Sequence, residues 1–97
     1  MDSFEQTLYW LLSGSKGGAN RIKILSFLQT NPCNLHELSQ HMHLNYKTTQ
    51  HHVELLLENN ILVTKGNKYG QIYFVSDAFQ SKKELFEKLR ANLEENP

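Results

Sequence analysis

The sequence predicts a mainly helical chain carrying a small β-hairpin, an α+β architecture, and three observations predict it. The first is the stretch Leu44–Leu62, in which Thr49, Val53 and Leu56 recur at helical spacing, flanked by His52 and Leu57. Lys47, Gln50, His51, Glu54 and Glu58 fall on the opposite side, and Asn45 stands where a side-chain oxygen can accept from the free N–H groups of a first helical turn. The second is a shorter helix just upstream. Asn34 and Glu37 have the spacing of a capping box, and Leu35, Leu38 and Met42 line one side of the helix it opens. His43-Leu44-Asn45 is the turn between the two helices, with Leu44 filling the gap. The third is a pair of strand-like runs, Ile61–Thr64 and Gln71–Val75, separated by the turn-rich Lys65–Gly70. A short helix, a tight turn, a longer helix and a hairpin form a winged helix-turn-helix.

The N-terminal part opens with a capping box at Ser3 and Gln6, starting a first helix over Ser3–Ser13. Phe4, Leu8, Leu11 and Leu12 are its apolar stripe, and Tyr9 and Trp10 widen it. Gly14-Ser15-Lys16-Gly17-Gly18 reads as a flexible joint. A second helix over Ala19–Gln29 is apolar on most of its circumference through Ile22, Ile24, Leu25, Phe27 and Leu28, the pattern of a buried central helix; Asn31-Pro32 ends it. Cys33 is placed to add a short third strand beside the hairpin. Asn59-Asn60 ends the long helix, because Asn tolerates the left-handed conformation of a helix terminus. Beyond the hairpin, Ser76-Asp77 caps a last helix to about Glu94, striped by Phe79, Leu85, Phe86, Leu89 and Leu93. The organisation is a single domain, 1–97: an N-terminal helix (1–13), a winged core (18–76) and a C-terminal helix (77–95).

Composition narrows the function. The chain has 97 residues, with ten basic and ten acidic residues in balance. Charge is unevenly spread: Lys16, Arg21, Lys23, Lys47, Lys65 and Lys68 face only Glu37, Glu54 and Glu58 in the central block, while the termini are acidic. A mildly basic centre suits modest attraction to phosphate. Cys33 is the single cysteine, so no internal disulfide forms and a reducing compartment is expected. No apolar run approaches the ~18 residues of a membrane span, and no signal-peptide pattern opens the chain. A cytoplasmic protein is expected. His36, His41, His43, His51 and His52 lack the i, i+4 spacing by which one helix holds a metal, so no metal is predicted and no cofactor. Cys33 reads as a buried small hydrophobe, not a nucleophile, and Gly14–Gly18 lacks the strand and spacing of a phosphate loop. No enzyme is predicted.

The central block resembles archaeal winged-helix transcriptional regulators and, more loosely, the arsenic-repressor (ArsR) type. Leu44, Asn45, Thr48, Thr49, His52, Val53, Leu56, Asn60 and Ile61 meet the pattern of their recognition helix and first wing strand, and Tyr46-Lys47-Thr48 and Gln50-His51-His52 resemble the archaeal branch. Arg21, Ile24 and Leu25 match the helix that opens the winged core in the same families. The likeness spans roughly residues 15–76. Two positions depart from the pattern: His51 stands where many relatives carry Arg or Lys, and Asn60 replaces the usual Gly.

The resemblance implies a DNA-binding regulator with the 45–59 helix in the major groove. Lys47, Gln50 and His51 are then the candidates for base edges, Asn45, Tyr46 and Thr48 for the backbone, and Lys65 and Lys68 of the wing (65–70) for flanking phosphates. The alternative is a winged helix used for protein contacts within transcription machinery; the polar character of the Tyr46–His51 face favours DNA. Two amphipathic helices flanking a finished core point to a homodimer built from Phe4, Leu8, Trp10, Leu11, Phe86, Leu89 and Leu93, and the resemblance implies the same helices. The competing arrangement packs those helices only on each other within one chain.

Overall fold

The structure, a computed structural model, describes residues 1–67 and 70–95. Its elements run α1 (Ser3–Tyr9), a π-helical turn (Trp10–Gly14), α2 (Gly18–Leu28), α3 (Leu35–Met42), α4 (Tyr46–Glu58), β1 (Leu62–Lys65), β2 (Ile72–Val75), α5 (Asp77–Gln80) and α6 (Lys83–Glu95). The α+β winged helix-turn-helix is present, with the N- and C-terminal helices packed together.

The central helix α2 is the axis of the core. Ile22, Ile24, Leu25 and Leu28 are buried on it, and Leu38 of α3, Val53 and Leu56 of α4 and Leu62 of β1 join the same cluster. Two glycines let the chain enter α2. Gly17 has φ +91°, a left-handed conformation that a Cβ would strain, and a Cβ on Gly18 would sit 2.4 Å from the backbone oxygen of Leu12. The joint is therefore a close backbone approach and not a loose tether.

Capping fixes the two helices of the helix-turn-helix. Asn34 Oδ1 accepts from the Glu37 N–H at 2.8 Å, and a Glu37 carboxylate oxygen accepts in return from the Asn34 N–H. His43 ends α3 with φ 55°, and Asn45 Oδ1 accepts from the Thr48 N–H at 2.7 Å to start α4. Asn60 leaves α4 with φ 58°, the left-handed turn expected of it.

The wing is an antiparallel pair with Leu62 opposite Val75 and Lys65 opposite Ile72. Cys33 adds the anticipated third strand as a single bridge, the Tyr73 N–H donating to its carbonyl at 2.9 Å. Ser76 then locks the base of the wing. Its hydroxyl donates to the Asn60 carbonyl at 2.7 Å and accepts from the Phe79 N–H at 3.0 Å, so one buried side chain ties the end of α4 to the start of α5.

Two expectations need correction. The first helix is capped by Asp2 and Glu5, not by Ser3 and Gln6: Asp2 Oδ1 accepts from the Glu5 N–H at 2.8 Å and Glu5 accepts from the Asp2 N–H. The last helix is also not continuous. It breaks at Ser81-Lys82, where the Lys82 N–H donates to the Phe79 carbonyl at 2.9 Å in a tighter turn and the lysine side chain does not extend the apolar stripe of Phe79, Phe86 and Leu89. Lys82 instead turns its ammonium to Asp2 (3.1 Å) and Glu5 (3.5 Å), clamping α1 to the break. The backbone cap and, after it, that pairing hold the Asp2 carboxyl below its usual range. On either side of the break Phe79 and Phe86 meet edge to face, ring centres 4.9 Å apart.

Replacing Ser76 by Ala removes the shared partner of two buried hydrogen bonds and leaves the Asn60 carbonyl without this donor. A loss of about 1–3 kcal/mol in urea denaturation is expected, with an unchanged m-value.

Candidate nucleic-acid interface

The surface formed by α4 depends on how its other side is held. Thr49, His52, Val53 and Leu56 are buried, and Thr49 Oγ1 bonds back to the Asn45 carbonyl at 3.0 Å, closing the first turn from within. His52 is fixed by a residue of α2. Arg21, only 3% exposed, donates from Nη1 to His52 Nδ1 at 3.2 Å and from Nε to the Leu11 carbonyl at 2.8 Å. Its Nη2 donates to Ser15 Oγ at 2.7 Å and the Lys16 carbonyl at 3.0 Å. Arginine only donates, so Nδ1 of His52 must be the unprotonated acceptor and its proton sits on Nε2.

With that side anchored, the sequence candidates separate. Lys47 and His51 are exposed, Gln50 and Thr48 half-buried, and Tyr46 stands 50% exposed at the start of the helix. Asn45 is exposed, its oxygen committed to the cap. Lys65 is exposed on β1 with its ammonium 5.1 Å from the centre of the Phe74 ring, a cation–π contact that orients it along the wing. Lys68 lies outside the described residues. The first acidic side chain along this face is Glu54, two turns in.

The candidates for a second copy separate differently. Leu8, Leu11, Phe86 and Leu89 are buried by the chain's own core, whereas Phe4 and Leu93 are half-buried and Trp10 is 62% exposed, with Tyr9 beside it. The intramolecular packing of α1 against α6 thus consumes most of the residues that the sequence offered to a partner.

Arg21 is the residue that sequence reasoning missed. Counted as a surface charge, it is instead the most enclosed cation among the described residues. The available signal was a lone arginine on a helix apolar around most of its girth. Cys33 is buried, and burial with Glu37 nearby pushes its thiol up, away from the thiolate a nucleophile needs. Among the described residues no three His, Cys, Asp or Glu side chains gather closely enough to hold a metal ion, and no helix is long and apolar enough to cross a membrane.

Burial, then the neighbouring charges of Arg21 and His51, hold His52 below the ordinary histidine range. The unfolded chain therefore takes up a proton first as pH falls below about 6.5. Stability is full above that value and is lost below it. The urea midpoint should drop between pH 7 and 5, and His52→Gln, which keeps an acceptor but cannot titrate, should flatten the drop; parallel profiles would refute the assignment.

The comparisons with known proteins agree with this geometry. The family model described as "Bacterial regulatory protein, arsR family" matches residues 19–63, which run from α2 through the start of the wing. No curated protein matches the sequence. Among solved structures, the chain is similar to the homodimeric winged helix-turn-helix DNA-binding domain of a possible ArsR-family transcriptional regulator from Mycobacterium bovis, with TM-score 0.70 and 13% identity over 95% of this chain and 81% of that one. It is also similar to HlyU from Vibrio cholerae (TM-score 0.69, 20% identity, 90% and 92% covered). A third similar structure is a MarR transcriptional regulator from Methanosarcina mazei (0.71, 12%, 92% and 65%). The family match lies on the same helices that the caps and the Arg21–His52 contact hold in place, and over those residues the chain is similar to the arsR family of bacterial regulatory proteins.

Proposed function

We propose that this chain is a DNA-binding transcriptional regulator of the arsR family that works as a homodimer and reads operator sequence with the 45–59 helix in the major groove. Lys47, Gln50 and His51 face base edges; Asn45, Tyr46 and Thr48 meet the sugar-phosphate backbone; Lys65 and Lys68 hold flanking phosphates from the wing. The chain acts as one domain, 1–97, in the cytoplasm. An archaeal branch within the family rests on the runs Tyr46-Lys47-Thr48 and Gln50-His51-His52 alone.

One observation carries the reading. The first two turns of α4 present Lys47, Gln50 and His51 to solvent with no carboxylate among them, while the opposite side is anchored by His52 and Thr49. Base readout requires side chains that project from a helix whose own orientation does not drift, and that is the arrangement here. Asn45 retains its amide nitrogen for phosphate after its oxygen is spent on the cap.

Support for the dimer comes from the exposed Trp10, from Tyr9, and from the half-buried Phe4 and Leu93 on the two packed terminal helices. An exposed tryptophan beside further apolar surface is costly to leave in water and typical of interfaces. The Mycobacterium bovis domain of the same fold is homodimeric.

Gel-shift titration of the protein's own upstream DNA at moderate salt is expected to give saturable binding that a scrambled duplex does not match. His51→Arg, supplying a fixed charge at pH 8, should tighten binding and steepen the dependence of log K on log salt by about 0.9. An unchanged slope would remove His51 from the interface. Sedimentation at micromolar concentration should give a dimer. Trp10→Asp should yield a folded monomer, because that side chain is outside the single-chain core; a wild-type monomer would refute the assembly.

A further inference from the structure

Among the described residues, Arg21 is a buried cation with no counter-ion. Its four acceptors are two carbonyls, a hydroxyl and a neutral imidazole. The ion pairs among the described residues lie elsewhere, between Lys82 and Asp2 or Glu5 and between Arg90 and Glu87. A guanidinium stays charged in a protein even where burial lowers its pKa, as it does here. Neutral dipoles satisfy its hydrogen-bonding geometry but leave its charge uncompensated. Five N–H directions are available and four are engaged, which leaves one on Nη1.

The side chain is not sealed off from every direction. It forms the back of a cleft between the joint and the start of α4, whose rim carries Lys16, Lys47, Thr48 and His51. Lys16, Lys47 and His51 are exposed or partly so, and none of the described residues lining the cleft is acidic. Two ammonium groups, an imidazole and a hydroxyl thus surround an opening with a fixed positive charge at its base. Opposed cations of this kind repel one another when the cleft is empty and are relieved by an anion.

We propose that this cleft is a phosphate site, with Lys16 at its mouth, the Thr48 hydroxyl as a donor and Arg21 as the fixed charge behind them. The phosphate comes from the DNA backbone flanking the groove that α4 enters, or from a free phosphate group of the same chemistry. The first source rests on the DNA-reading assignment of α4; the second does not. Lys16 would then extend the footprint from the helix-turn-helix onto the N-terminal joint, a segment with no assigned contact.

Two measurements test the proposal. The first is binding to the protein's own upstream DNA across a salt series by wild type, Lys16→Ala and Gln50→Ala, the last lying outside the cleft. Among the described residues the Lys16 ammonium has no hydrogen-bond or ion-pair partner, so its variant is expected to stay folded. Its affinity should fall about threefold to tenfold at low salt and its salt slope should become shallower by about 0.9. The second is titration of the nitrogen-15-labelled wild-type protein with inorganic phosphate against chloride at matched ionic strength, following the Arg21 Nε–H and the Thr48 amide. A Lys16 effect without a phosphate response assigns the site to the DNA backbone. A saturable phosphate response without a Lys16 effect on DNA assigns it to free phosphate, and both together assign it to either source. Absence of both responses overturns the site, and a Gln50→Ala variant that still weakens DNA binding then leaves the reading of α4 standing. If the wild type binds no duplex at all, the DNA reading fails and the phosphate titration alone decides the cleft.

Discussion

The need of one buried guanidinium for acceptors organises the functional half of this molecule. Burying Arg21 is costly unless its N–H groups are bonded, and the acceptors it finds belong to three different segments: the π-helical turn, the glycine joint and α4. Gly17 and Gly18 permit the approach, since a Cβ on Gly17 would lie 2.9 Å from the His52 ring and one on Gly18 would strike the Leu12 backbone. The wide π turn matters for the same reason. It ends α1 in a geometry that turns Leu11 and Leu12 inward and presents the Leu11 carbonyl to the arginine. The orientation of α4 is thus set from α2 and the N-terminal joint as much as from the α3 partner within its own motif.

Much of the fold was legible in the sequence because its signals were local. Asn34 with Glu37, Asn45 and Asn60 each satisfy or terminate backbone groups within a few residues, so spacing alone identifies them. The strand-like runs around Leu62 and Tyr73 likewise marked the wing. What spacing does not carry is the partner from a distant segment. Asp2 takes the place of Ser3 as the first cap through its own box with Glu5, and Lys82, from the other end of the chain, pairs with both carboxylates. The same lysine stands in the turn that interrupts the C-terminal helix. Arg21 obeys the same rule: its neighbours at helical spacing are apolar, and only the tertiary fold brings Ser15, Lys16 and His52 around it.

The candidate reading face was legible for a further reason. Positions that pack are apolar or small, so Thr49, Val53 and Leu56 declare the inner side of α4, and the outward side is identified by subtraction. The terminal helices offered no such subtraction. Their stripes serve an interior, and nothing in a stripe distinguishes the chain's own interior from one shared with a second copy. Leu8 and Phe86 occupy the first kind of interior and Trp10 does not.

Trp10 is also the only tryptophan in the chain. It stands in water near Leu55 and Asn59, toward the end of α4 opposite Lys47. Its indole is therefore a built-in optical label. Emission from it reports whatever covers the terminal helices, by a shift toward the blue and reduced quenching by solutes, and is insensitive to a ligand seated on the opposite end of that helix. Association between chains and occupation of the α4 surface are separable in a single unlabelled sample.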